Sequence, residues 1–148
     1  MDDVDRALVT ALQQNARATY AELGRLVGLS GPSVTDRVAR LEQEGVIGGY
    51  RAVVAPAALG RPVAALVGIH LSDTSDQDAV ATALAGLPEI EDCWFVAGDE
   101  SFLVKVRVGD VAELEGTQSR LRRIRGVSRT RTTVVLSTKW EGRVQPAS

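Results

Sequence analysis

The sequence predicts an α+β protein of two parts, an N-terminal three-helix, winged-type helix-turn-helix domain and a C-terminal βαββαβ ferredoxin-like domain. The pattern of residues 19–47 predicts two short capped helices joined by a tight turn. Beyond residue 62, stretches with strand and helix periodicity follow in the order strand, helix, strand, strand, helix, strand. A chain of 148 residues with 45% hydrophobic content can supply a core for two small domains.

The first two helices carry clear start and stop signals. The first is expected over residues 3–14, and the second begins at a capping box formed by Thr19 and Glu22 and ends at Gly28. The inward residues of the first helix are expected to be Val4, Leu8, Ala11 and Leu12. Those of the second fall on one side of a helix and are Tyr20, Leu23, Leu26 and Val27.

The third helix begins at Ser30, whose hydroxyl can cap it, and it ends at Gly45. Its buried face is expected to consist of Val34, Val38 and Leu41, which stand at i, i+4 and i+7. The opposite face then presents Ser33, Asp36, Arg37 and Arg40. In a helix-turn-helix this helix enters the major groove, where arginine can bind a guanine edge or a phosphate. The candidate DNA contacts are Arg17, Ser30, Ser33, Thr35, Asp36, Arg37 and Arg40.

Two members of this face have alternative roles. Asp36 would repel phosphate, so it either accepts from a cytosine amino group or orients Arg40 from one turn away. Arg37 lies next to Val38 and can instead hold the helices together through a salt bridge. For the unit as a whole, the alternative is a helical hairpin with a solvated charged face.

Charge and composition exclude several classes of protein. Seventeen basic against nineteen acidic residues give a net charge of −2, so affinity for DNA has to come from local placement and from an oligomer. One cysteine and one histidine supply neither a disulfide, nor a metal site, nor a Ser-His-Asp triad, and no cofactor is expected. The chain has no apolar run long enough for a membrane span and begins with the acidic MDDVDR, so we expect a cytoplasmic protein.

The predicted domains are residues 1–48, a linker at 49–61, a second domain at 62–140 and a tail at 141–148. Strands of the second domain are expected at 63–71, 90–97, 102–108 and 127–138. One helix starts at a weak Ser75 and Asp78 capping pair and stops before Pro88. The other is capped by Asp110 with Glu113, ends at Gly126, and shares a face formed by Val111, Leu114, Leu121 and Ile124.

Three segments together resemble the Lrp/AsnC, or feast/famine, transcription regulators. They are DDVDRALVTALQQNAR, GLSGPSVTDRVARLEQEGVIGGY and VAGDESFLV, and the resemblance covers nearly the whole chain. It implies a regulator that binds specific double-stranded DNA sequences. It also implies a C-terminal effector-sensing RAM domain that forms dimers and then rings, commonly octamers, with an amino acid or related metabolite bound between dimers.

The same resemblance places an effector site at the loop between the two middle strands. Its implied residues are Val96, Gly98, Asp99, Glu100 and Ser101. Glycine lets a ligand approach the backbone, and the two carboxylates can hold an ammonium group. The loop reads GDES where many relatives have G-D-x-D, which leaves the identity of the effector open. An ordinary hairpin turn would suit the same residues.

Other conspicuous residues have structural interpretations. The arginine run at 120–131 is interpreted as a solvated helix end and strand, not an RNA-binding arm. Trp94 and Phe95 are adjacent and point to opposite faces, so they predict core and dimer-interface packing, not a base-stacking platform. His70 and Cys93 are expected to be packed, with Cys93 buried.

Two alternatives to a regulator remain open. One is an ACT-like metabolic sensor, which binds a ligand without reading DNA, and the other is an architectural DNA-binding protein without an effector. No nucleophile, base or metal ligands accompany Asp99 and Glu100, so no enzyme is predicted.

Overall fold

The computed structural model describes residues 1–145 and 147. It divides into two compact units: residues 1–53 together with the tail from Trp140, and residues 54–139. Within the described residues, no helix combines the length and hydropathy that crossing a bilayer requires.

The first unit contains three helices, α1 (Asp3–Gln14), α2 (Tyr20–Val27) and α3 (Gly31–Gln43). Each begins at a side-chain cap on a residue in extended conformation, namely Asp2, Thr19 and Ser30. Their buried apolar residues pack as one core, formed by Leu8, Leu12, Leu23, Val34 and Val38. Residues 46–55 continue without a helix or strand.

The prediction of which α2 residues face inward is partly wrong. Leu23 is buried, but Tyr20 and Leu26 are exposed at 43% and 62%. The eight-residue helix approaches the following turn through Gly24, where an added Cβ would lie 2.5 Å from the Leu29 carbonyl oxygen. Leu23 and this glycine occupy the inward side and Val27 packs against the core, whereas Tyr20 and Leu26 point to solvent.

The second unit is a four-stranded antiparallel sheet with two helices. Its elements are a short 3-10 turn at Pro56–Leu59, β1 (Val63–Leu71), α4 (Gln77–Ala85), β2 (Ile90–Phe95), β3 (Phe102–Val108), α5 (Val111–Arg123) and β4 (Val127–Val134). The strand order is β2-β3-β1-β4, which is the ferredoxin-like arrangement.

One face of the sheet packs against both helices. Its core contains Val67 and Ile69 of β1, Val104 of β3, Leu84 of α4 and Leu121 of α5. Alternation along the strands places the intervening residues on the opposite face, here called the open face. Its members on the two central strands are Ala64, Leu66, Gly68, His70, Leu103, Lys105 and Arg107.

The strand ends differ from the sequence prediction for reasons of pairing. β2 ends at Phe95, because the next amide, of Val96, closes the loop on the carbonyl of Ser101. β4 ends at Val134, which lies opposite Ala65, and one last backbone hydrogen bond follows, from the Val135 amide to the Ala64 carbonyl oxygen at 2.9 Å. Leu136 is consequently 96% exposed.

The predicted helix starts also need correction. Asp76, not Ser75, caps α4, and its Oδ1 accepts from the amides of Asp78 and Ala79. The Ser75 hydroxyl is engaged elsewhere and donates to the Gly126 carbonyl oxygen at 2.8 Å. Asp110 caps α5 as predicted, but Val111 lies on the solvent side and is 70% exposed.

Three residues predicted to be packed are exposed in the chain, namely Cys93, Trp94 and Phe95. Cys93 is exposed on the edge strand β2, although partial burial raises the pKa of its thiol. Trp94 and Phe95 take register positions opposite Leu103 and Phe102, hence on opposite faces as expected. The Phe95 ring meets Phe102 edge-on at 5.3 Å, yet remains 60% exposed.

Candidate nucleic-acid interface and effector loop

α3 presents a polar face because its other face is completely buried. Val34, Val38 and Leu41 are at most 1% exposed, as their spacing predicted. Ser33, Thr35 and Asp36 are all exposed on the opposite side. The Ser30 and Ser33 hydroxyls lie 3.0 Å apart at the start of the helix, and the Thr35 hydroxyl donates to the Gly31 carbonyl. These short side chains can donate to or accept from a base edge or a phosphate.

The two arginines of α3 bind carboxylates of α1. Arg37 Nη1 lies 2.7 Å from Asp2 Oδ2 and 2.9 Å from Asp5 Oδ1, and Arg40 Nη2 lies 2.6 Å from Asp5 Oδ2. Asp5 is only 1% exposed. Within the part of the chain that the structure describes, Arg40 is thus oriented by Asp5, and no hydrogen bond or ion pair joins it to Asp36.

The carboxylates of this network are strongly stabilised in the charged form. The hydrogen bond from Arg37 lowers the pKa of Asp2 from 3.8 to about 2. Burial acts to raise the pKa of Asp5, but the hydrogen bond from Arg37, the Asp2 amide and the charge of Arg40 together lower it. The same contacts raise the pKa of Arg37. Sequence reasoning did not identify Asp5, because its only local signal is a capping box with Asp2.

The remaining candidate is Arg17, and Tyr50 makes a contact with α3 that the sequence did not predict. Arg17 is exposed in the turn between α1 and α2, where its amide donates to Asn15 Oδ1. Tyr50 donates to Glu42 Oε1 at 2.9 Å and ties the segment after α3 back to that helix. Burial and this hydrogen bond raise the pKa of Tyr50 to about 12, so the phenol stays protonated as the donor.

The effector loop is held by backbone hydrogen bonds at its ends. The Val96 amide donates to Ser101 oxygen, and the Ser101 amide donates to Ile69 oxygen of β1, both at 2.9 Å. Gly98 and Asp99 are exposed at the tip. A Cβ added to Gly98 would meet nothing within 4 Å, so the loop leaves open space at this backbone position.

The side chain of Glu100 points away from the loop tip and toward the sheet. It lies against Gly68 on the open face, where an added Cβ would come within 2.5 Å of the Glu100 Cγ. The loop therefore joins Val96 to Ser101 through their backbones and leaves Gly98 and Asp99 exposed at the tip, while the Glu100 carboxylate turns toward the sheet. His70 is also on the open face, with Nε2 3.0 Å from Arg129 Nη2. Among the described residues, no group of three or more metal-binding side chains is found.

Comparisons with known proteins match both units. Residues 1–42 match the model of the AsnC-type helix-turn-helix domain, and residues 64–145 that of the Lrp/AsnC ligand binding domain. The chain is 41% identical over 143 residues to the HTH-type transcriptional regulator LrpA of Mycobacterium tuberculosis, covering 97% of this chain and 95% of LrpA.

Solved structures agree with these matches. A feast or famine regulatory protein of M. tuberculosis complexed with L-methionine superposes with a TM-score of 0.93 at 40% identity, over 99% of both chains. Escherichia coli AsnC gives a TM-score of 0.90 at 30% identity, over 97% of both chains. Both domains match in the predicted order and over almost the whole length, so the chain belongs to the Lrp/AsnC family of transcription regulators.

Proposed function

We propose that this protein is a transcription regulator that binds specific double-stranded DNA through α3 and responds to an amino acid. One observation supports this most directly. The exposed side of α3 carries short hydrogen-bonding side chains, while its other side is fixed in the core of an AsnC-type helix-turn-helix. A helix with one rigidly buried face can present the other to the major groove in a single orientation.

Within this proposal the DNA contacts divide by role. Ser33, Thr35 and Asp36 are exposed and are the proposed contacts to base edges, and an adenine or cytosine amino group suits the Asp36 carboxylate. Ser30 at the start of α3 and Arg17 in the turn between α1 and α2 are the proposed phosphate contacts. Arg40 is 50% exposed and uses one nitrogen on Asp5, which leaves donors for DNA, whereas Arg37 is the more enclosed, at 29%.

The proposed effector is an amino acid bound at loop 96–101. Support comes from the ligand-binding domain match and from the L-methionine complex of the similar mycobacterial protein. The open space at Gly98 allows a ligand to reach the backbone amides, and Asp99 offers a carboxylate for its ammonium group. No further cofactor and no catalytic activity are proposed, and we place the protein in the cytoplasm with its DNA.

We also propose that the chain acts as a homo-oligomer. Leu66, Leu103 and Trp94 occupy the open face, and Trp94 is 46% exposed. Apolar side chains on one face of a sheet are normally covered. Covering them with a second copy gives a dimer with two α3 helices, and dimers can then form rings such as octamers.

A footprint on the DNA upstream of the protein's own reading frame tests the proposal. We expect protection of a defined sequence, and a changed pattern when an amino acid is added. Ligand binding without a footprint would instead indicate a metabolic sensor. Protection that depends neither on the DNA sequence nor on added amino acids would indicate an architectural DNA-binding protein.

A further inference from the structure

A cavity at the end of the second unit has no role in the proposed site. It measures about 530 Å³ and lies between the loop that precedes α4 and the turn that follows α5. None of the residues 98–101 lines it. This volume exceeds that of an amino acid, and the chemistry of the lining residues determines which ligands the cavity would bind.

The walls carry one carboxylate and one guanidinium. Asp76 uses Oδ1 to cap α4, which leaves Oδ2 without a partner among the described residues. Arg125 lines the same cavity, and in the same part of the chain its guanidinium forms no ion pair or hydrogen bond. A ligand with both an ammonium and a carboxylate group matches this pairing.

A third part of the lining is apolar. Ala79 and Ala83 stand one turn apart on α4, and Ile124 faces them from the end of α5. Both alanines are exposed to the cavity, which gives a small-residue wall against which an aliphatic or thioether side chain can pack. A charged side chain would find no partner at this wall.

The cavity is also rigidly framed. The carbonyl oxygen of Gly126 accepts from the Ser72 amide at 2.9 Å and from the Ser75 hydroxyl at 2.8 Å, so the loop and the turn are tied together. Gly126 has φ +99°, and an added Cβ would lie 3.0 Å from Ser75 Cβ. The loop that carries Asp76 and the turn that carries Arg125 are therefore tied to each other before any ligand arrives.

We propose that this cavity is a second amino-acid site, in which Asp76 binds the ammonium group, Arg125 the carboxylate, and the Ala79, Ala83 and Ile124 wall an apolar side chain. This inference rests on the proposed amino-acid response for its class of ligand, and adds a site separate from loop 96–101. It predicts two sites per chain and a preference for apolar over charged amino acids.

Calorimetric titration of the full chain with the twenty L-amino acids tests it. We expect two sites per chain for at least one apolar amino acid. Arg125→Gln and Asp76→Asn should each weaken one site at least tenfold, since each removes a charged partner, and asparagine preserves the helix cap. Ala83→Trp should fill the cavity and remove the same site. The matched controls Arg123→Gln and Asp78→Asn should stay within twofold of wild type.

The loop variant Gly98→Trp separates this proposal from the proposed function. It should remove the other site and leave the Asp76–Arg125 site intact. If one site is lost in Gly98→Trp and kept in Arg125→Gln, Asp76→Asn and Ala83→Trp, the cavity proposal is overturned and the loop proposal stands. If a site is lost only in Arg125→Gln, Asp76→Asn and Ala83→Trp, the result supports the cavity proposal and contradicts the loop proposal. If no amino acid binds, both proposals fail.

A pair of methionine analogues checks the zwitterion requirement. 3-(Methylthio)propylamine lacks the carboxylate, and 3-(methylthio)propanoate lacks the ammonium group. If L-methionine occupies the cavity, each analogue should bind it at least tenfold more weakly than L-methionine does. Equal affinity of either analogue would contradict the assignment of the two charged walls.

Discussion

Asp5 joins α1 to α3 more tightly than the apolar core alone would. It is buried and meets both Arg37 and Arg40, and these partners lie 32 and 35 residues away in sequence. The caps and the buried stripe of α3 could be predicted from the sequence because their signals lie within a few residues. The diversion of both arginines toward α1 could not, because it depends on how the helices pack.

The two arginines are expected to respond differently to replacement by alanine. Arg37→Ala leaves Asp2 without its arginine partner and the buried Asp5 with one arginine fewer, and should lower the melting temperature by about a few degrees. Arg40→Ala should weaken binding to the footprinted DNA by about 1–3 kcal/mol, since Arg40 has unused donors for DNA. Its loss of stability should be smaller, because Arg40 binds one carboxylate where Arg37 binds two. Thermal melts and fluorescence anisotropy measure the two quantities.

Arg25→Ala is the control for general loss of positive charge, since Arg25 lies in the last turn of α2. Unchanged DNA affinity in Arg40→Ala, with the fold intact, would remove Arg40 from the DNA interface. Unchanged stability in Arg37→Ala would show that the carboxylate network contributes little to the fold.

The same network predicts acid sensitivity. The pKa of Asp2 is about 2 in the folded protein against an ordinary 3.8, and that of Asp5 is also lowered. Between these two pKa values the unfolded chain binds more protons than the folded protein does. The contribution of the network to stability is therefore full above pH about 4 and decreases as the pH falls toward 2. Melting temperatures measured from pH 5 to 2.5 should fall, and less steeply in Asp2→Asn. Parallel curves for the two proteins would contradict the assignment to Asp2.

At the scale of elements, the approach of α2 to the following turn depends on Gly24. In the sequence this glycine is only a weak helix former, and nothing local shows that its backbone contacts Leu29. The order and approximate bounds of the helices and strands could be predicted, since periodicity and caps are local. The early end of β4 could not, because it depends on the pairing register with β1, in which Val134 lies opposite Ala65.

Gly24→Ala should therefore destabilise the first unit despite the better helix propensity of alanine. The added Cβ would lie 2.5 Å from a backbone oxygen, which forces a shift of the turn, and overpacking of this kind costs about 1–3 kcal/mol. Gly31→Ala is the matched control, since an added Cβ there meets nothing within 4 Å. Urea unfolding measures both, and equal stability of the two variants would contradict the close contact.

For the whole molecule, assembly decides whether so weakly charged a chain can bind DNA tightly. With a net charge of −2, a single α3 has no general electrostatic field to support it. Two copies joined through the open face would double the specific contacts and fix the spacing of the half-sites at one DNA turn, about 10–10.5 bp, or a multiple of it.

Leu103→Lys tests this arrangement, since it places a charge at the centre of the open face, opposite Gly68 and Trp94. We expect light scattering at micromolar concentration to show a shift from dimer or larger to monomer, and DNA affinity to fall with it. Val111→Lys, at a 70% exposed position on α5, should leave both unchanged. Inserting about 5 bp between the half-sites turns them to opposite sides of the duplex and should weaken binding by the intact protein. A wild-type monomer with full DNA affinity would contradict the dimer, because the two α3 helices would then act without being linked.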